Sequence, residues 1–170
     1  MASHLGMACA LACGNAARAA DNLDEVQLRA AFVYRFAQFT QWPPPPLREF
    51  TYCVAGIDNS DVEIWRKLSS KPMSTASVQM QRLDSPQHAS QCQLLVLGFS
   101  DRAELRRWLA ALADEPVLVI GNSPEAFRAG ATIGLVLEPN GLSFRVNNTE
   151  AKRRGLVLSS QMLKLAREVR

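Results

Sequence analysis

Histidine is nearly missing from this sequence: there are two in 170 residues. His4 lies in the N-terminal stretch, so His88, beside Pro86, is left for the domain itself, where a solvated loop histidine is the plainer reading than a general base. No phosphate-cradling glycine loop is present, nor a nucleophile elbow, an HExxH pair or cysteines at metal spacing. With these go the common routes to nucleotide, acyl-transfer and zinc chemistry. No apolar run approaches the ~20 residues that a membrane span requires. Charge of one sign is also scarce. The net charge is +3, the basic residues are scattered, and the one cluster, Lys152-Arg153-Arg154, reads as a solvated helix end. Nucleic acid is therefore not an expected partner. What is present suits one globular domain, with 48% hydrophobic and 21% charged residues in a chain long enough to bury a real core.

The first twenty residues read differently from the rest. Leu5 to Ala12 are apolar and small, Ala17-Arg18-Ala19 places small residues at the −3 and −1 positions of a signal-peptidase site, and Asp21 onward is polar. This is the layout of a cleaved leader over residues 1–19, with the domain occupying 20–170. Cys13 after Ala10-Leu11-Ala12 is a weaker lipid-attachment signal. Export would remove Cys9 and Cys13 and leave Cys53 and Cys92. On composition alone these are either one disulfide or two separate buried thiols.

Helical spacing appears first at Leu28, Phe32, Phe36 and Phe39, which predicts an amphipathic helix stopped by Trp42 and the four prolines 43–46. A theme then repeats three times. Phe50–Ala55, Leu94–Leu97 and Val117–Ile120 read as strands, each followed by glycine, a capping residue and a helix. This is the pattern of βα units on a largely parallel sheet. Ser77–Leu83 predicts an additional edge strand. Ile133–Leu137 and Leu142–Val146 alternate around Pro139-Asn140-Gly141, a hairpin signal. Met162, Leu165, Ala166 and Val169 predict a final amphipathic helix capped by Ser159 or Ser160. The expected fold is α/β: one mixed, largely parallel sheet flanked by helices, ending in a hairpin and a helix.

Two places could bind something. The turns at Gly56–Ser60, Gly98–Asp101 and Gly121–Ser123 would share the carboxyl edge of the sheet, where helix N-termini favour anions, although every such domain has these turns and Asp58, Asp61 and Asp101 oppose an anion. The aromatic first helix supplies Phe32, Phe36 and Phe39 to the core. Tyr34 projects away from that stripe, towards a pocket or a homodimer face.

The stretch Arg29-Ala30-Ala31-Phe32-Val33-Tyr34-Arg35-Phe36-Ala37-Gln38-Phe39-Thr40-Gln41-Trp42-Pro43 resembles the opening motif of the YfiR family. Phe144-Arg145-Val146-Asn147 and Gly155 to Ala166 are similar to its closing signature, and Tyr52-Cys53-Val54 and Cys92-Gln93-Leu94 sit where that family places two strand cysteines. The resemblance implies a periplasmic regulator that binds and represses an inner-membrane diguanylate cyclase through the cyclase's periplasmic region, and so controls cyclic di-GMP and biofilm formation. It also implies a Cys53–Cys92 disulfide, no enzymatic activity and no cofactor. A second cysteine pair found in some members is missing here. Tyr34, Trp42, Asn147 and Arg154 are the expected ligand or partner contacts, and no catalytic or metal residue is expected. The other class of function left open is a periplasmic small-molecule sensor or binding module.

Overall fold

The computed structural model describes residues 10–74 and 76–170, with side chains described from residue 21 onward apart from Asn22, Ser69 and Thr75. Residues 1–9 of the expected leader lie outside the described residues. The rest of it belongs to a helix, α1, that runs Ala10–Gln38. The buried face of α1 is Val26, Ala30, Val33 and Ala37, with Phe36 beside it. This corrects the expected stripe. Leu28 is exposed, and Phe32 and Phe39 are only partly buried. The small face lets the helix lie close to the sheet, and the phenylalanines flank it to meet Phe144, whose ring centroid is 4.8 Å from that of Phe36 and 6.2 Å from that of Phe32. The helix also stops before the prolines. The Thr40 hydroxyl donates to the Phe36 carbonyl at 2.7 Å, and Thr40–Gln41 turns into a short strand, β1.

β2 (Glu49–Ala55) leads to α2 (Val62–Arg66) and then to β3 (Ser77–Arg82). A 3-10 segment over Pro86–Gln91 returns the chain to β4 (Leu94–Leu97), followed by α3 (Arg102–Ala111) and β5 (Leu118–Gly121). Next come α4 (Pro124–Ala129), β6 (Ile133–Glu138) and β7 (Gly141–Val146). The chain closes with α5 (Asn148–Arg153), β8 (Val157–Leu158), α6 (Ser160–Leu165) and β9 (Glu168–Val169). Cap chemistry sets several boundaries. Asp101, Ser123, Asn147 and Ser159 each accept a backbone N–H three residues on, from Glu104, Ala126, Glu150 and Met162.

The main sheet has the order β3-β2-β4-β5-β6-β7-β9, and β1 pairs with β8 in a separate two-stranded ribbon. Strands β2 to β6 run parallel and β7 returns antiparallel to β6. The α/β fold is as expected, and β3 does form an edge. Two details differ. Glu138 pairs with Gly141, so the hairpin turns on Pro139-Asn140 and Gly141 already belongs to β7. The final helix ends at Leu165, and Val169 lies in β9, parallel to β7.

Strand side chains alternate between two cores, as the period of two requires. Tyr52, Val54, Leu94, Val96, Leu118 and Ile120 face α1 and Trp65 of α2. Cys53, Ala55, Leu95, Leu97 and Val119 face Leu105 and Trp108 of α3 and Ala126 of α4. The strand sequence reverses direction between β2 and β4, since β2 continues outward to β3 and β4 continues the other way to β5. Such a topological switch leaves a crevice beyond the carboxyl ends of the two strands.

Candidate functional site

The seam between β2 and β4 is fastened at both ends. At the amino end of β4, Cys53 and Cys92 are disulfide-bonded, with their Cα atoms 6.0 Å apart. Both residues are buried in the α3-side core. At the carboxyl end the two turns touch, because a Cβ on Gly98 would lie 2.1 Å from the Gly56 carbonyl oxygen. The Gly98 N–H donates to the Ala55 carbonyl at 2.8 Å, and the Asn122 N–H to that of Leu97 at 3.0 Å.

Over this carboxyl end lies a crevice of about 300 Å³, closed on one side by α1 and lined by Glu25, Arg29, Asp58, Asp61, Trp65 and Asn122 among others. The turns expected on the carboxyl edge thus floor a walled crevice carrying three carboxylates and one guanidinium, in keeping with the carboxylates that oppose an anion there, and the Asp101 carboxylate is spent on capping α3. Asn122 lies within the Gly121–Ser123 turn expected on this edge, whereas Arg29 is not among the site residues expected from the sequence. For Arg29 the available signal was its i, i+4 pairing with Glu25.

A second concavity, of about 430 Å³, runs between α1 and α6 and is lined by Phe32, Arg35, Phe36, Phe39, Phe144, Gln161, Met162 and Leu165. Its wall is mostly apolar, and Leu165 on its rim is 68% exposed. A third, of about 490 Å³, lies beside the end of α1 and includes Trp42, Phe50 and Met73.

The four expected contact residues fall into two pairs. Trp42 lines the third concavity, donates from Nε1 to the Gln93 carbonyl at 3.2 Å and stands edge-on to Phe50. Tyr34 lines an adjoining slot that shares Ala37, Phe50 and Met73 with it, and its hydroxyl donates to the Pro72 carbonyl at 3.0 Å. Asn147 and Arg154 meet instead through α5. Asn147 caps it, and Arg154 places Nε 2.7 Å from the Glu150 carboxylate and Nη1 3.1 Å from the Glu115 carbonyl. Arg154 is only 3% exposed, which corrects its reading as part of a solvated helix end: the helix does end there, but its last arginine turns inward. Burial pushes the Glu150 carboxyl upward, but hydrogen bonds and charge from Arg153 and Arg154 outweigh it and hold the group below its ordinary value. His88 is exposed in the 3-10 segment.

The sequence matches the YfiR/HmsC-like family over residues 26–167. The chain belongs to that family. The YfiR/HmsC-like family is one of regulators acting in cyclic di-GMP signalling rather than of catalysts. Its periplasmic character agrees with the disulfide found here. Among the described residues, no helix is long and apolar enough to cross a membrane. Nor is there a group of three or more metal-ligating side chains placed to hold an ion. No curated protein matches the sequence. Among solved structures, a conserved domain protein of Vibrio cholerae is similar at 11% identity and a TM-score of 0.60, covering 85% of this chain. An ABC domain of Streptococcus pneumoniae in complex with L-Trp is similar at 10% identity and a TM-score of 0.59, covering 86%. This YfiR/HmsC-like chain spans 60% of the length of each. At such identities the likeness is one of fold.

Proposed function

We propose that the chain is an exported repressor, freed of a leader after Ala19, that binds the periplasmic region of an inner-membrane diguanylate cyclase and lowers cyclic di-GMP and biofilm formation. Membership of the YfiR/HmsC-like family across residues 26–167 carries this reading. The groove between α1 and α6 supports it with a surface of the right kind. It is an apolar trough walled by aromatic rings and rimmed by exposed Leu165. An apolar helix or strand of a partner could bury its side chains there. Trp42 and Tyr34, on the neighbouring concavity, extend the contact surface.

The test is capture from solubilised membranes with the purified protein, together with cyclic di-GMP measurement in cells lacking the gene. Recovery of a membrane diguanylate cyclase and a rise of the nucleotide on deletion support the proposal. No captured cyclase and unchanged nucleotide overturn it. Mass measurement of protein from a native host tests the leader, and retention of Met1 would refute it. A second copy of the chain is the competing occupant of the groove, and a concentration-dependent dimer that Leu165→Glu dissolves would reveal it.

A further inference from the structure

The β6–β7 hairpin turns on Pro139-Asn140, and Asn140 is followed by Gly141, the one place in the sequence where glycine succeeds asparagine. Asn140 is exposed. Gly141 has φ +133°, and a Cβ built on it would meet nothing within 4 Å, so the space beside this peptide bond is open. Gly141 also forms the last rung of the ladder, opposite Glu138. A terminal rung opens without unfolding the strands behind it. The other asparagines with described side chains are held. Asn59 accepts from Arg82 Nη1, and Asn147 caps α5 with Oδ1, 3.0 Å from the Glu150 nitrogen. The Oδ1 of Asn122 is buried. The backbone nitrogens that follow Asn147 and Asn148 both donate to the Arg170 carbonyl, at 2.7 and 3.2 Å.

From this arrangement we infer that Asn140 is a site of spontaneous covalent modification: deamidation through a cyclic imide, with water as the co-reactant and no enzyme required. Hydroxide takes the Gly141 amide proton, and the freed nitrogen attacks Cγ of Asn140. A bond forms between Gly141 N and Cγ, and the Cγ–Nδ2 bond breaks. Nδ2 leaves as ammonia after taking a proton from water, which returns the hydroxide. A second water then opens the five-membered ring at one of its two carbonyls. Opening at Cγ gives aspartate, and opening at the backbone carbonyl gives isoaspartate, in which the chain runs through the side chain. Nothing is oxidised or reduced. Both products place a new carboxylate two residues after Glu138, whose own carboxylate pairs with Arg167 and accepts from the Ser143 hydroxyl at 3.1 Å. Isoaspartate also adds a methylene to the backbone between Glu138 and Gly141, which displaces their pairing. Arg167 immediately precedes β9, so a change at the hairpin tip bears on the last strand as well. The inference goes beyond the repressor reading and does not depend on it, since it concerns the purified protein alone.

The test is incubation of the purified chain in mildly alkaline buffer, sampled over days and read by peptide mapping with mass spectrometry. A gain of one mass unit at residue 140, at least tenfold faster than at Asn59, Asn122, Asn147 or Asn148, is the expected result. The product should be a mixture of aspartate and isoaspartate, and the rate should rise with pH, as removal of the Gly141 amide proton requires. Asn140→Gln should slow the gain at this position at least tenfold, because its imide would be a six-membered ring. The same chain unfolded in guanidinium chloride measures what the dipeptide does without the hairpin, and the folded rate should lie within tenfold of it. A folded rate slower than that overturns the inference, because the turn then protects the bond. So does earlier modification at any of the other named asparagines, or an unchanged rate in Asn140→Gln. None of these failures touches the cyclase reading, which is decided by capture from membranes.

Discussion

Arg154 lies buried against Glu150, its Nε 2.7 Å from the carboxylate, at the end of the very helix that Glu150 helps to start. The pair joins α5 to the carbonyl of Glu115, just ahead of β5. Breaking a buried pair from one side strands the other charge, at a cost of about 3–5 kcal/mol. Glu150→Gln is therefore expected to lower the free energy of unfolding by an amount approaching that range, read from denaturant titration. Glu150→Leu combined with Arg154→Met removes both charges and should recover part of the loss.

The same carboxylate gives a pH signature. Its folded value lies below the ordinary 4.5, so the stability it contributes is complete above pH 4.5 and is lost as pH falls through the folded value. Unfolding midpoints of the native protein and Glu150→Gln, compared from pH 7 to pH 3, should differ most at the upper end and converge at the lower. A gap that widens towards acid would contradict the arrangement.

Cys53 and Cys92 stand 39 residues apart, and closing a loop of that length stabilises the fold by about 4 kcal/mol in the chain-entropy account. For a chain of this size each kcal/mol moves the melting temperature by about 2–4 °C. Reduction, or the double change to alanine, is expected to lower Tm by roughly 8–16 °C, measured by scanning calorimetry with and without reductant.

Leu165 is 68% exposed on the groove between α1 and α6. Leu165→Glu should leave stability within about 0.5 kcal/mol, as surface changes do, while reducing capture of the membrane partner at least tenfold. Loss of capture accompanied by a large drop in Tm would point to damage of the fold instead.

Much of the architecture was legible because it rests on periodicity. The runs Leu94–Leu97 and Leu118–Gly121 are apolar on both faces, as buried parallel strands must be, and the Ser123-Pro124 cap stands as read. What escaped was non-local. Two-residue strands such as β8 and β9 carry no period of their own and exist only because β1 and β7 lie alongside. The buried face of α1 was misplaced because large phenylalanines outweigh alanines in a sequence pattern, whereas close packing on a sheet selects the small residues. At the sites the limit was sharper. Arg154 sits in a run of basic residues, and only the fold shows it turning inward to Glu150. Likewise, no spacing rule brings Arg29 of α1 over the turn that carries Asn122.

The doubly fastened seam between β2 and β4 has a thermodynamic consequence. Four residues of β4, Leu94–Leu97, separate the disulfide from the glycine contact that floors the crevice. Whatever holds the strands in register at one end restricts their freedom at the other, so any molecule whose affinity depends on that register is linked to the oxidation state of the cysteines. Linkage is reciprocal. A ligand that binds the oxidised form more tightly by some factor protects the bond against reduction by that same factor, and a reducing environment loosens the ligand in equal measure.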